Sequence, residues 1–225
     1  MAKKKQTVED QNLENVQEAL NTTSVWIEKN QNKLTWSITI IALVVTGVLA
    51  LNTYVIKPKA VEVSNENAKA VAYFMQGDWE KALNGDDAEC VGFQAIADEY
   101  KMYQGGKLAA LYAGVCYYQL GQYEDAAAYL NEFSANDLTI EPAALQLLGD
   151  AYVQMEDYSK AVKAFESAAK SGNDLIAPMS LKKAGLVYLE LGDKVAAKKA
   201  FEAIKADYPA SSEAQSIDAY IAIAQ

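Results

Sequence analysis

Apolar and polar positions divide the chain into three unlike stretches. The first, residues 1–33, is polar, with Leu13, Val16, Leu20 and Thr23 at helical spacing and Glu14, Gln17 and Glu18 between them. That spacing predicts a short amphipathic helix, with a solvated tail as the alternative. The second, Leu34 to Ile56, reads LTWSITIIALVVTGVLALNTYVI and holds no charged residue. As a helix, Trp36 to Ile56 would reach roughly 31 Å, about the thickness of a bilayer's hydrocarbon layer. Trp36 and Tyr54 stand near its ends, where aromatic rings settle at headgroup level. Lys33 precedes the run, and Lys57-Pro58-Lys59 closes it. One transmembrane helix over 34–56 is therefore predicted, with a buried core helix as the alternative. A cleaved signal peptide fits poorly, because it would have a shorter apolar region nearer the N-terminus and a small-residue cleavage site.

The third stretch, 57–225, repeats itself. LYAGVCYYQLGQYEDAAAYL carries Gly114, Tyr117, Gly121, Tyr123, Ala126 and Leu130. LQLLGDAYVQMEDYSKAVKAF carries Gly149, Tyr152, Tyr158, Ala161 and Phe165. LKKAGLVYLELGDKVAAKKAF carries Gly185, Tyr188, Gly192, Ala197 and Phe201. The spacing of the three anchor glycines is close to the period of about 34 expected of a paired-helix repeat. A glycine inside a helix costs about 1 kcal/mol against alanine, so these three predict a neighbouring helix pressed against the backbone. Ala126, Ala161 and Ala197 let the second helix of each pair approach, and Leu130, Phe165 and Phe201 fill the space beside them. Gly121-Gln122, Glu156-Asp157 and Gly192-Asp193 mark the turns within pairs. Pro142 and Pro178 suit the start of a helix.

The edges of the array are less regular. VAYFMQGDWEKAL places Tyr73, Gly77, Trp79 and Ala82 as a degenerate half-repeat, and GFQAIADEYKMYQGGKLAAL adds a helix after it. Phe133 and Leu138 depart from the pattern and predict an irregular link after the first repeat. Asn173 and Lys194 depart from it in the second and third. Pro209-Ala210-Ser211-Ser212-Glu213 reads as the start of a final capping helix. The predicted divisions are a half-repeat over about 60–106, repeats over about 107–141, 142–177 and 178–209, and a cap over 210–225.

Composition narrows the chemistry. Net charge is −10, and all of it falls after the apolar run. An acidic domain repels phosphate backbones, which speaks against nucleic acid as a partner. There is no histidine, and every basic residue is lysine. The commonest general base and zinc ligand is therefore missing, as is the planar fork that grips carboxylate and phosphate. Cys90 and Cys116 form no CxxC pair, so they read as buried hydrophobes or as a disulfide in an oxidising compartment. No phosphate-binding glycine loop or metal spacing occurs. Asp86-Asp87, Asp98-Glu99 and Glu156-Asp157 read as solvated charges rather than acid–base couples. A non-enzyme without a cofactor is expected.

The repeats resemble the tetratricopeptide family, whose motif places Leu-Gly, Tyr, Gly-x-Tyr, Ala, Phe, Ala and Pro at fixed spacings. The second and third repeats carry it best. The resemblance implies an all-α fold: a right-handed solenoid of helix pairs with a C-terminal capping helix, here behind one transmembrane helix. The neutral tail with NLENVQEAL and WIEKNQ, the span ending in Lys-Pro, and GFQAIADEY, LAALYAGVCYYQLGQYEDA and ADYPASSEA together resemble the YfgM-like proteins of bacterial envelopes. That likeness implies an inner-membrane anchor, a cytoplasmic N-terminus and a periplasmic domain. It also implies translocon subunits, periplasmic chaperones or secreted clients as partners. The repeat endings are also similar to those of the cell-division coordinator of the Tol-Pal system. The flanking lysines alone bias the orientation only weakly.

In the tetratricopeptide architecture the first (A) helix of each pair lines a concave face. Carried onto this chain, the groove positions are Leu108, Leu111, Val115, Tyr118 and Gln119 in the first repeat. The second contributes Ala143, Gln146, Asp150, Val153 and Gln154, and the third Met179, Lys182, Leu186, Leu189 and Glu190. Such a surface suits an extended or helical peptide with apolar anchors. The alternative is a short solenoid that fills its own groove and works through a convex or dimeric surface. Two functions follow: a membrane-tethered adaptor for envelope proteins, or a homo-oligomeric spacer or coordinator in division and envelope assembly.

Overall fold

The computed structural model describes the backbone of residues 8–86 and 89–225, and all regular structure among them is helical. The chain forms two compact units, residues 1–58 and 59–225. In the first, helix α1 covers Val8–Leu51 and a π-helical turn covers Asn52–Ile56. The expected amphipathic helix is thus not short: its residues belong to a helix of 44 residues. Thr35, Thr39 and Thr46 return their hydroxyls to carbonyls one turn back, at 2.7–2.8 Å. This satisfies polar groups inside the apolar stretch. The Lys3–Lys5 run and Asp87 lie outside the described residues, as do the side chains of Leu13 and Val16.

Helix α2 (Lys57–Met75) starts at the boundary, and the second unit holds the rest of it with α3 (Trp79–Asn84), α4 (Phe93–Glu99), α5 (Gln104–Gln119) and α6 (Tyr123–Glu132). It continues with α7 (Ile140–Gln154), α8 (Tyr158–Ala169), α9 (Ile176–Glu190), α10 (Lys194–Asp207) and α11 (Ile217–Ile223). The pairs α5–α6, α7–α8 and α9–α10 each pack along their length, and each also packs on the next pair. Pro142 and Pro178 stand in the first turns of α7 and α9, where no N–H is needed.

The glycines explain the pairing. A Cβ on Gly114 would stand 2.6 Å from Leu130 Cγ, one on Gly149 2.5 Å from Phe165 Cε1, and one on Gly185 2.3 Å from Phe201 Cε1. Each glycine therefore receives the bulky residue of its partner helix directly against its backbone. Leu130, Phe165 and Phe201 are almost wholly buried as a result. Ala126, Ala161 and Ala197, one turn earlier, are buried completely.

One turn recurs between the two helices of each pair. The tyrosine carbonyl near the end of the A helix accepts the N–H five residues on: Tyr117 from Gln122, Tyr152 from Asp157 and Tyr188 from Asp193, each at 2.9 Å. The residue just before that N–H is left-handed, at φ +76° for Gly121, +58° for Glu156 and +75° for Gly192. This is the helix end that glycine favours, and only Glu156 occupies it with a side chain. Asp157 and Asp193 then accept from Lys160 and Ala196 N–H groups and cap the second (B) helix.

The same turn appears upstream, where Tyr73 accepts from Asp78 at 3.1 Å around Gly77. The degenerate half-repeat is therefore a complete turn joined to a shortened B helix. Asp86 stands where the other repeats have Leu or Phe, and it accepts a hydrogen bond from Tyr73 Oη. Gly85 ends α3, and a Cβ there would stand 2.1 Å from the Cys90 carbonyl oxygen, so the chain folds back tightly on itself.

The irregular link after the first repeat is present. Phe133 is extended, and Asp137 and Glu141 hold the loop through backbone N–H groups of residues 135–141. Asn173 accepts from Leu175 and Ile176 N–H groups, and so starts α9 in place of the missing proline. The terminal helix begins later than its sequence signal: residues 209–213 form turns, and α11 runs from Ile217 after a short 3₁₀ segment. Buried Ile217 and Ala224 set it against Phe201 and Ile204 of α10.

Two substitutions test this packing in opposite directions. Gly185→Ala should destabilise by about 1–3 kcal/mol, because the buried Phe201 ring cannot retreat cheaply. Glu156→Gly should stabilise by up to about 1 kcal/mol by relieving left-handed strain. Urea denaturation of the detergent-solubilised chain would read both; a stabilised Gly185→Ala would rule out the close approach.

Candidate functional site: the A-helix face

The A helices α5, α7 and α9 approach one another in sequence order, α5 to α7 and α7 to α9. Polar groups join the last two: Gln146 Nε2 donates to Ser180 Oγ at 3.1 Å, and Lys183 Nζ donates to Asp150 at 2.6 Å. Further upstream Asn67 Nδ2 of α2 donates to the Gly105 carbonyl of α5 at 2.9 Å. A Cβ on Gly105 would stand 2.4 Å from Val63 Cγ1, so α2 and α5 also meet backbone to side chain.

The predicted groove positions share one property: none is buried. Leu108, Gln119, Ala143, Gln154, Leu186 and Glu190 are exposed. Leu111, Val115, Tyr118, Gln146, Asp150, Val153, Met179, Lys182 and Leu189 are half-buried. The intervening positions Ala113, Gly114, Cys116 and Tyr117 are buried, as are Leu148, Gly149 and Ala151. Each A helix therefore has one face against its B helix and another that its own repeat leaves open.

The open face differs along its length. In the first repeat it is apolar and aromatic, with Tyr118 edge-on to Tyr123 at 5.5 Å. In the second, Gln146 and Asp150 are already engaged by α9. Asp150 is thus not a free carboxylate, and its partner is Lys183, next to the groove position Lys182. In the third repeat the cap encroaches: Lys182 Nζ lies 5.0 Å from the centre of the Tyr220 ring, and Leu189 packs on the cluster holding Ile217. Lys194, replacing the usual turn tyrosine, reaches the Gln225 carbonyl at 2.9 Å. Those contacts depend on where the last helix seats and leave no local signal in the sequence.

On the other side, α8, α9 and α10 form a shallow cleft of about 250 Å³ floored by Ala184, Ala196 and Ala200, with Glu166, Tyr188 and Lys199 at its edge. Asp98 and Glu99 are exposed at the end of α4, and Glu156 and Asp157 sit at a turn. No cluster of metal-ligating side chains occurs among the described residues. Both cysteines are free and buried.

Tetratricopeptide-repeat family profiles match residues 108–137 and 147–215. The chain therefore carries tetratricopeptide repeats, and the all-helical solenoid is their fold. Among solved structures it is similar to MamA protein at 20% identity, over 72% of this chain and 80% of that one, with a TM-score of 0.57. It is also similar to a crystal form of MamA AMB-1 at 16% identity, over 73% and 81% of the two chains, with a TM-score of 0.52. At those identities the likeness concerns the fold. No curated protein matches the sequence significantly.

Burial also makes the domain sensitive to alkali. It pushes the Cys116 thiol from 9.0 up to about 12. Burial, followed by donation from Tyr188 Oη to Glu166, pushes the Tyr188 phenol from 10.0 up to about 12. Both groups are held protonated by folding. Their contribution is complete below the unfolded values and is lost as pH rises through about 12. Urea midpoints should stay level to about pH 9 and then fall, with Cys116→Ala delaying the onset toward pH 10. A midpoint rising above pH 9 would contradict this assignment.

Proposed function

We propose that the chain is a membrane-anchored adaptor, binding protein segments on its A-helix face at the surface of a bacterial inner membrane. The carrying observation is the row of Leu108, Leu111, Val115 and Tyr118 with Leu186 farther along, of which Leu108 and Leu186 are exposed and the others half-buried. These apolar side chains lie on a rigid helical scaffold beside the polar pairs that fix its curvature. Apolar anchors at helical spacing suit an extended or helical peptide. The tetratricopeptide fold supports protein binding rather than catalysis, and no catalytic role is assigned.

The anchor is argued from burial. The helical stretch Leu20–Met75 contains a window of mean hydropathy 2.3, and none of that window is buried. A core helix of equal hydropathy would be covered by its own domain, whereas a spanning helix is covered by lipid. Trp36 and Tyr54 are exposed near its ends, as interfacial aromatics would be. The likeness to YfgM-like envelope proteins supports a cytoplasmic N-terminus and a periplasmic repeat domain. It also supports translocon subunits, periplasmic chaperones or secreted clients as the partners.

Photo-crosslinkers placed at exposed Leu108, Gln154 and Leu186 in intact cells should capture protein partners, and one at Lys199 should capture few. Protease added outside spheroplasts should remove the repeat domain and spare the N-terminal tail. Capture equal at all positions would move binding off the A-helix face. Protection of the repeat domain would reverse the topology.

A further inference from the structure

Helix α1 carries a sequence period that neither the span nor the groove uses. Leu13, Leu20, Ile27, Leu34, Ile41 and Val48 recur at intervals of seven, and every one is aliphatic. Val16, Thr23 and Asn30 follow the first three at the alternate spacing of three. In the polar part the series Leu13, Val16, Leu20, Thr23, Ile27, Asn30, Leu34 is thus the alternating three–four spacing of a coiled-coil seam. The charged residues agree with that register. From 13 to 34 they are Glu14, Glu18, Glu28, Lys29 and Lys33; the first four fall on the outward positions of the heptad, and Lys33 flanks the seam at its end. The earlier positions flanking the seam hold Gln17, Ala19, Ser24, Trp26 and Gln31, so over residues 13–32 two copies side by side meet no like-charge repulsion there.

The structure adds length and exposure. The helix is unbroken from Val8 to Leu51, a length that goes with a coiled coil or a span rather than with a globular helix. Leu20 is 65% exposed and Ile27 47%, and Trp26 beside them is 57% exposed. Among the described residues of this unit, Leu20 and Ile27 of the row stay exposed.

We infer that residues 13–34 form a parallel coiled coil with a second copy of this chain. A second copy satisfies every feature at once. It supplies the same aliphatic row in the same register, and two chains held by the same apolar segment are parallel. Asn30 falls on the second position of the seam, where it meets its own copy and pairs amide with amide. In the single helix its Nδ2 donates to the Trp26 carbonyl at 2.9 Å, which leaves its oxygen and second N–H for the partner amide. A lipid surface fits less well. An unbroken helix whose later residues cross a bilayer carries its earlier residues along the same axis, so it cannot also lie flat among headgroups. The dimer presents two repeat domains to one assembly and raises avidity without new contacts. The inference goes beyond the adaptor reading and stands whether or not the A-helix face binds.

Single cysteines placed in the full chain test the seam directly. In native membranes under mild oxidation, Leu20→Cys, Thr23→Cys and Ile27→Cys should each give at least about five-fold more disulfide-linked dimer than Glu18→Cys, Val25→Cys and Asn32→Cys. The parent chain, whose Cys90 and Cys116 are buried, should give none. Sedimentation of the detergent-solubilised parent should yield the dimer mass, halved by the pair Leu20→Glu with Ile27→Glu and unaffected by Val25→Glu. Equal yields around the helix, a monomeric parent, or bonds formed to a different protein would each overturn the inference. A repeat domain that captures no partner while the crosslinking period holds would reject the adaptor reading alone.

Discussion

Everything in the repeat domain follows from one contact made three times. A glycine in each A helix lets the bulky residue of its B helix press against bare backbone: Leu130 on Gly114, Phe165 on Gly149, Phe201 on Gly185. The glycine weakens its own helix by about 1 kcal/mol. In return the helices come close enough to bury an aromatic ring or leucine with almost no surface left, and burial of such a side chain contributes about 1.5–3 kcal/mol. The closeness also fixes the spacing of each pair, and repeated spacing makes a solenoid.

That contact divides each A helix into two faces. Glycine, alanine and cysteine make the close approach to the B helix, with Tyr117 and Leu148 buried beside them. The groove positions on the rest of the surface stay partly open: Leu108 and Leu186 are exposed, and Leu111, Val115 and Tyr118 are half-buried. Between repeats the A helices are tied by polar pairs, Gln146 to Ser180 and Asp150 to Lys183. Such pairs contribute little energy near solvent but hold a distance.

The two ends of the array close in different ways. At the N-terminal end the shortened B helix substitutes Asp86 for the usual apolar residue, and Tyr73 satisfies it. The loop then folds back through Gly85 rather than extending the helix. At the C-terminal end α11 lays Ile217 and Ala224 on the last pair and brings Tyr220 beside Lys182. Both devices cover a hydrophobic face that a further repeat would otherwise cover. The cap narrows the open face at the third repeat, so the first two repeats offer the larger uncovered area.

Local physics made much of this legible in sequence. Glycine inside a helix has few explanations, and a glycine recurring at a fixed interval beside Tyr, Ala and Phe has essentially one. The pairs, their turns and the apolar stretch from Leu34 to Ile56 were therefore readable from residue type and spacing alone. The irregular link at Phe133 was readable as well, from a missing alanine and proline. Contacts between residues far apart in the chain were decided only in three dimensions. Lys183 rather than Lys182 faces Asp150, because the roll of α9 against α7 chooses between neighbours. The late start of α11 reflects where Ile217 finds its pocket on α10, and the capping signal at Pro209 could not anticipate it. A residue's type determines what it can bury or pair with, and only the placement of its neighbours determines which of those options is taken.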